Sequence, residues 1–193
     1  MMTSENRTGG FTLVELIVTV SIICIMAALA VTSVSTYIAE KNDERQVVGL
    51  WKQLKGFRMK VLKTENRHVI IFNTLTGTPA YTAYQDPTSD GTGTVLTMTD
   101  VSVDVPSVTF GAPDNCTSGP NGLSISGGSI SASWNHDSGL VFQKNFMGSI
   151  ASKGYVVMKS PKSSNKIGYI IMADSNSQDL RLYKFKGGTW FQL

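Results

Sequence analysis

Residues 11–34 read FTLVELIVTVSIICIMAALAVTSV, an apolar run carrying one charge, Glu15. A helix that spans a bilayer needs about 20 mainly apolar residues, each rising roughly 1.5 Å. This run is long enough. The two small residues Gly9 and Gly10 precede it, whereas a secretory signal peptide carries its cleavage residues after the apolar core. The front end also holds only one cation, Arg7. These features exclude the secretory-signal reading and predict a membrane helix that stays with the protein. Charge gives little help with its orientation. Lys41 and Arg45 beyond the run outnumber Arg7 before it, so a count of cations leans towards the opposite topology from the one adopted below.

Downstream, the pattern changes without a break. From Tyr37 to Glu65 there is no proline. Val47, Leu50, Trp51, Leu54, Phe57, Val61 and Leu62 recur at three- and four-residue spacing, with Lys41, Arg45, Lys52, Lys55 and Lys60 largely between them. That is the signature of an amphipathic helix laying one face on a globular body. A separate helix lying in the membrane interface is the competing reading, since its polar face is basic.

After Glu65-Asn66 the period shortens. Strands are predicted over 68–72, 94–99, 107–110, 123–134, 139–143, 155–159, 167–172 and 180–186, bounded by Gly, Asn, Asp, Ser or Pro. The stretch around Gly127-Gly128 reads as a hairpin. Turn-rich loops over 86–93 and 112–122 are the expected places for partner contacts. The fold class is therefore α+β, with a long N-terminal helix, membrane-spanning in its first half, packed on a mainly antiparallel β-sheet head. The expected division is a leader over 1–10, a transmembrane helix over 11–34, its amphipathic continuation over 35–65 and a β-rich head over 66–193.

The chain has 193 residues, a net charge of +3 and two cysteines, Cys24 and Cys116. The charge is too small to argue for nucleic acid by itself. One cysteine lies in the apolar run and the other far outside it, so no disulfide between them is expected. Neither His68, expected to be a surface or partly buried strand residue, nor His136, in a turn, sits in a zinc-type spacing. Asp86, Asp90, Asp100, Asp104 and Asp114 do not follow the spacing of a calcium loop. There is no Gly-x-Ser-x-Gly elbow and no phosphate loop. The expectation is a protein that is not an enzyme, with no metal and no cofactor.

Gly10-Phe11-Thr12-Leu13-Val14-Glu15-Leu16, opening a continuous apolar helix, resembles the leader signal of type IV prepilins and type II secretion pseudopilins. The resemblance implies that a prepilin peptidase cuts between Gly10 and Phe11 at the cytoplasmic face and methylates the new Phe11 amine. The head then lies beyond the inner membrane, periplasmic or extracellular, and the subunit joins other pilins or pseudopilins in a filament. An ionised carboxylate inside a bilayer costs a few kcal/mol, and such residues serve function by default. A free α-amine has a pKa of about 8. The resemblance makes the Phe11 amine of a neighbouring subunit the partner of Glu15. Two positions depart from the common pattern. Cys24 and Thr32 stand where many pilins carry Gly and Pro, so this helix should resist melting.

The head resembles the GspH/FimT family of minor pseudopilins and minor pilins. The residues that carry this are Leu50 to Phe72, Leu140-Val141-Phe142 with Met147-Gly148, and Gly168 to Met172 with Leu180 to Tyr183. The resemblance implies a role in filament assembly and protein secretion. DNA-binding members carry a Gly-Arg-x-Arg element in the last hairpin. This chain has Arg181, Lys184 and Lys186 there without that motif, so capture of DNA by a competence pilus stands as the alternative.

Overall fold

The computed structural model describes residues 10–73, 80–86, 94–95, 107–125, 140–143, 150, 153–163, 166–174 and 179–193. A long helix, α1 (Leu13–Thr64), is followed by antiparallel sheets. The chain forms two compact units, residues 1–38 and residues 39–193.

In the first unit α1 carries its apolar side chains outward. Leu13, Val14, Leu16, Ile17, Ile22, Ile23, Ile25, Met26, Leu29 and Val31 are all at least half exposed. The polar groups among them bond inward. The Thr19 hydroxyl donates to the carbonyl oxygens of Glu15 (2.8 Å) and Leu16 (2.9 Å), and the Ser21 hydroxyl donates to that of Ile17 (2.8 Å). Such back-bonding satisfies these two hydroxyls without water.

In the second unit the same helix turns amphipathic. Val47, Leu50, Leu54, Phe57 and Val61 are buried to within 2 % of full occlusion. Each contributes about 1.5–3 kcal/mol of apolar burial. Trp51 is half-buried and donates its indole N–H to the Leu180 carbonyl at 2.6 Å. Leu62, expected on the same face, is 38 % exposed. The helix ends where the pattern does. Glu65 adopts a left-handed conformation (φ 55°), and its N–H closes on the Val61 carbonyl at 2.8 Å.

The head holds two sheets rather than one. The first consists of β1 (Arg67–Asn73), β2 (Ala80–Asp86), β3 (Thr94–Val95) and β5 (Leu140–Phe142), in the order β3-β2-β1-β5. The second consists of β4 (Thr109–Phe110), β6 (Gly154–Lys159), β7 (Gly168–Ala173), β8 (Arg181–Lys186) and β9 (Thr189–Gln192), in the order β4-β6-β7-β8-β9. All their pairings are antiparallel.

Strands β6 and β7 are buried on both faces, which explains their unbroken apolar runs. Val156, Met158, Tyr169, Ile171 and Leu182 join the helix residues in the main core. Tyr155, Val157, Ile170, Met172 and Tyr183 face the other way and are covered by Ala112, Leu123, Ile125 and Trp190. The 112–122 segment, expected to be a partner loop, is thus a strap over the second sheet. Its Ser118 carbonyl accepts the Trp190 indole N–H at 2.8 Å.

Several expectations are corrected. Strands β2 and β9 were not predicted. The predicted 107–110 strand shortens to Thr109–Phe110. The predicted 123–134 strand is not formed over 123–125. There Pro120–Gly122 makes a 3-10 turn, and Ser118 and Ser124 pair only as an isolated bridge. Asn121 within that turn is left-handed (φ 56°). The Gly127-Gly128 hairpin, positions 96–99, Met147-Gly148, the 87–93 loop, His136 and the aspartates at 90, 100 and 104 lie outside the described residues. His68 is buried, 1 % exposed, because it alternates onto the helix side of β1, where its ring meets Phe57 at 6.3 Å between centroids. Burial holds the imidazole below its ordinary pKa. The Lys60 charge adds to this, and together they outweigh the opposing bond from Nδ1–H to the Asn66 carbonyl (2.9 Å).

Gly168 marks the tightest contact between the strap and the second sheet. A Cβ there would sit 2.6 Å from Pro113 Cγ and 3.1 Å from the Met158 carbonyl. Gly168→Ala is expected to destabilise the head by about 1–3 kcal/mol through overpacking, read as a lowered midpoint in thermal or denaturant unfolding. Unchanged stability would show that the strap yields freely.

Candidate functional site: the helix start and the clasp on the last strands

The first region of chemical interest is the start of α1. Gly10 and Phe11 precede the helix and are exposed, Phe11 by 80 %. Thr12 caps it. Its Oγ1 accepts the Glu15 backbone N–H at 3.2 Å, and its carbonyl accepts the Leu16 N–H at 3.2 Å. Thr12-x-x-Glu15 is a capping-box sequence, and the carboxylate falls in the first turn, where the helix dipole favours an anion. The Thr-x-x-Glu spacing signals this cap in the sequence, a feature separate from the membrane charge expected of Glu15.

The second region is polar and mostly buried, between the Glu40–Glu44 turn of α1 and the second sheet. Lys184 donates to Glu40 Oε1 at 2.6 Å and to Glu44 Oε2 at 2.9 Å, with its side chain 11 % exposed. Lys186 donates to Glu40 Oε2 at 2.9 Å. Lys41 reaches Glu44 at 3.3 Å from the same helix. Between the two glutamates, buried Asp43 accepts a hydrogen bond from the Ser160 hydroxyl through Oδ2. Asp43 Oδ1 and the buried Tyr169 hydroxyl have no hydrogen-bond partner among the described residues.

Burial alone would raise the Glu40 and Glu44 carboxyls. The hydrogen bonds and charge of Lys184, with Lys186 or Lys41, outweigh it and hold both below the usual carboxylate range. Burial likewise opposes the charge on Lys184, yet the two glutamates hold its pKa above the usual lysine value. Burial raises the Tyr169 phenol as well, and the three nearby carboxylates push the same way.

Of the cations expected on the last hairpin, Lys184 and Lys186 are therefore engaged by carboxylates, while Arg181 is exposed at the other end of β8. They sit on the central member of a β7-β8-β9 run, not on a terminal hairpin arm. Glu40, Asp43 and Glu44 have no part in the expectations from sequence. Their three- and four-residue spacing places them on one helical face, a signal that could have paired them with Lys184. Among the described residues no group of three or more His, Cys, Asp or Glu side chains is placed to hold a metal ion.

Residues 6–31 match the prokaryotic N-terminal methylation motif. This type IV pilin-like prepilin signal supports the pilin and pseudopilin class, with processing by prepilin peptidase and assembly with other pilins. The exposed apolar first unit of α1 is long enough to cross a membrane, and with the motif it fits a membrane anchor. No curated protein and no solved structure matches the chain.

The Lys184 clasp makes a clear prediction. Lys184→Met leaves Glu40 and Glu44 largely buried without their main cation and should cost about 2–3 kcal/mol. The carboxyls are depressed in the folded state, so their contribution is present above about pH 4.5 and is lost as pH falls through the lower folded values. Lys184 is raised, so its contribution is held below about pH 10.5 and lost above it. Stability measured from pH 3 to pH 7 should therefore climb less steeply in Lys184→Met than in the parent. Parallel profiles would show that the clasp contributes nothing.

Proposed function

We propose that the chain is a minor pseudopilin or minor pilin of the GspH/FimT type. In this reading prepilin peptidase cuts between Gly10 and Phe11 at the cytoplasmic face of the inner membrane and methylates Phe11. The subunit then enters a type II secretion pseudopilus or a type IV pilus, with its head on the far side of the membrane. There it assists filament assembly and protein secretion and performs no catalysis of its own. The observation that carries the reading is the coincidence of three features at one place: the matched motif over 6–31, the Thr12 cap, and an apolar helix carrying the single carboxylate of Glu15.

The chemistry supports a structural role for Glu15. A lone carboxylate at the edge of the lipid becomes less costly when a cation is brought to it. A newly exposed Phe11 amine on a neighbouring copy supplies one, so each added subunit neutralises a charge and sets axial register. Capture of DNA through the last strands gains no support from the side chains. Lys184 and Lys186 are already neutralised by Glu40 and Glu44, and releasing them would leave those carboxylates uncompensated.

Two experiments test the reading. Replacing Gly10 should leave a precursor ten residues longer on a gel and exclude it from filaments, whereas normal processing would refute the cut site. Glu15→Leu should insert and be cleaved normally, but its incorporation should fall by on the order of tenfold or more. The cap bond uses the Glu15 backbone N–H, so the leucine variant keeps it. Thr12→Val removes the cap instead, at about 1 kcal/mol, and should incorporate nearly normally. Equal incorporation of Glu15→Leu and the parent would rule out the amine–carboxylate pairing.

A further inference from the structure

From Arg45 to Thr64 the helix carries six cations (Arg45, Lys52, Lys55, Arg58, Lys60 and Lys63) and no carboxylate. Lys52, Lys55 and Met59 follow at three- and four-residue spacing, and Leu62 and Lys63 lie three and four residues beyond Met59, so all share one flank of the helix. Two of them are apolar and outward, Met59 at 66 % exposure and Leu62 at 38 %. Beside this flank a pocket of about 200 Å³ opens between α1 and the sheets, lined by Lys55, Arg58, Met59, Phe142, Ile150 and Leu180. Its floor is hydrocarbon from both sheets: Phe142 and Ile150 pair as an isolated bridge beside the first, and Leu180 leads into β8 of the second. Lys55 spans the rim, 2.7 Å from Asp179 and over the Trp51 ring at 4.4 Å.

We propose that this flank of α1 is a docking surface for an acidic segment of another polypeptide, which seats one bulky apolar side chain in the pocket. Lys55 is paired with Asp179, but the helix itself supplies no acid to the row, and exposed Lys52 and Lys63 favour a partner with carboxylates at matching intervals. The pocket selects between polyanions. Phosphates could meet the lysines, but they would leave the aliphatic walls of Met59, Ile150 and Leu180 wet. A peptide with a Phe- or Leu-sized anchor fills them and uses the row as a polar rim, which is how anchor residues concentrate binding energy. The surface belongs to the head, so the inference does not depend on the filament reading.

The test uses the full chain in detergent micelles and a fluorescent peptide in which glutamates flank a single phenylalanine. Saturable binding is expected, about tenfold weaker for the same peptide with serine in place of phenylalanine. Met59→Glu should weaken it by a similar factor, and so should Lys52→Glu combined with Lys63→Glu. Lys162→Glu, an exposed residue outside the flank, should not. Unchanged thermal melting establishes that each variant is folded. Three outcomes would overturn the proposal: no saturable binding, equal affinity for the serine peptide, or undiminished binding to the Met59 and lysine variants. Equally potent displacement by a DNA oligonucleotide of the same charge would also overturn it, by marking the flank as a general polyanion surface.

Discussion

Helix α1 must satisfy two solvents in succession, and most of what distinguishes the protein follows from that constraint. In residues 13–31 large apolar side chains are exposed all along the helix, and the Thr19 and Ser21 hydroxyls bond back to its own carbonyls. From Ala39 onward one face is occluded by the sheets and the other is studded with cations. A helix that is apolar all round belongs in lipid, and one with a single apolar stripe belongs against a core. Both are met without a proline or a break in the hydrogen-bond ladder between them.

Charge is distributed along the second unit in a matching way. The Glu40–Glu44 turn is the acidic end of the helix, and the second sheet answers it with Lys184 and Lys186. Beyond it the helix is basic, and Lys55 pairs with Asp179 beside the second sheet. The acidic end is thus consumed by the fold, while much of the basic stretch is presented outward. Buried Asp43 deepens the contrast. It accepts from Ser160 through one oxygen, while its other oxygen and the Tyr169 hydroxyl have no hydrogen-bond partner among the described residues.

The sequence reveals the helix, its change of character and its end almost completely, because apolar periodicity over tens of residues is a strong signal. Strands β6 and β7 are legible for a related reason, as apolar runs between Gly, Ser and Asp, and β8 by the alternation of Leu182, Lys184 and Lys186 with Arg181, Tyr183 and Phe185. What is missed falls where the evidence is local. Strand β9 follows Gly187-Gly188, whose φ values of 61° and 84° are both positive, as a primed two-residue turn requires, and Gly-Gly before Thr-Trp-Phe was a readable sign. Strand β2 places Tyr81 and Ala83 inward and Thr82 outward, but a seven-residue strand containing two alanines carries little propensity. The division of the strands into two sheets and the role of 112–122 as a strap depend on contacts far apart in the chain, which no local pattern encodes. The Glu40–Lys184 pair, separated by 144 positions, is hidden for the same reason.

At the N-terminal end the cap links these levels. Thr12 fixes where the helix begins, and that places the Gly10–Phe11 bond two residues outside it, in exposed non-helical chain. A peptide bond inside a helix has its carbonyl and N–H committed to the ladder, whereas a bond ahead of the cap leaves them available to a protease. The same cap puts Glu15 in the first turn, where its charge is favoured by the dipole. One threonine thus biases both the availability of the proposed scissile bond and the position of the carboxylate that would meet the amine released there, by the roughly 1 kcal/mol that a cap contributes. Losing it frays the helix start but leaves both groups in the chain. Loosening the carboxylate's position can therefore be told apart from deleting it.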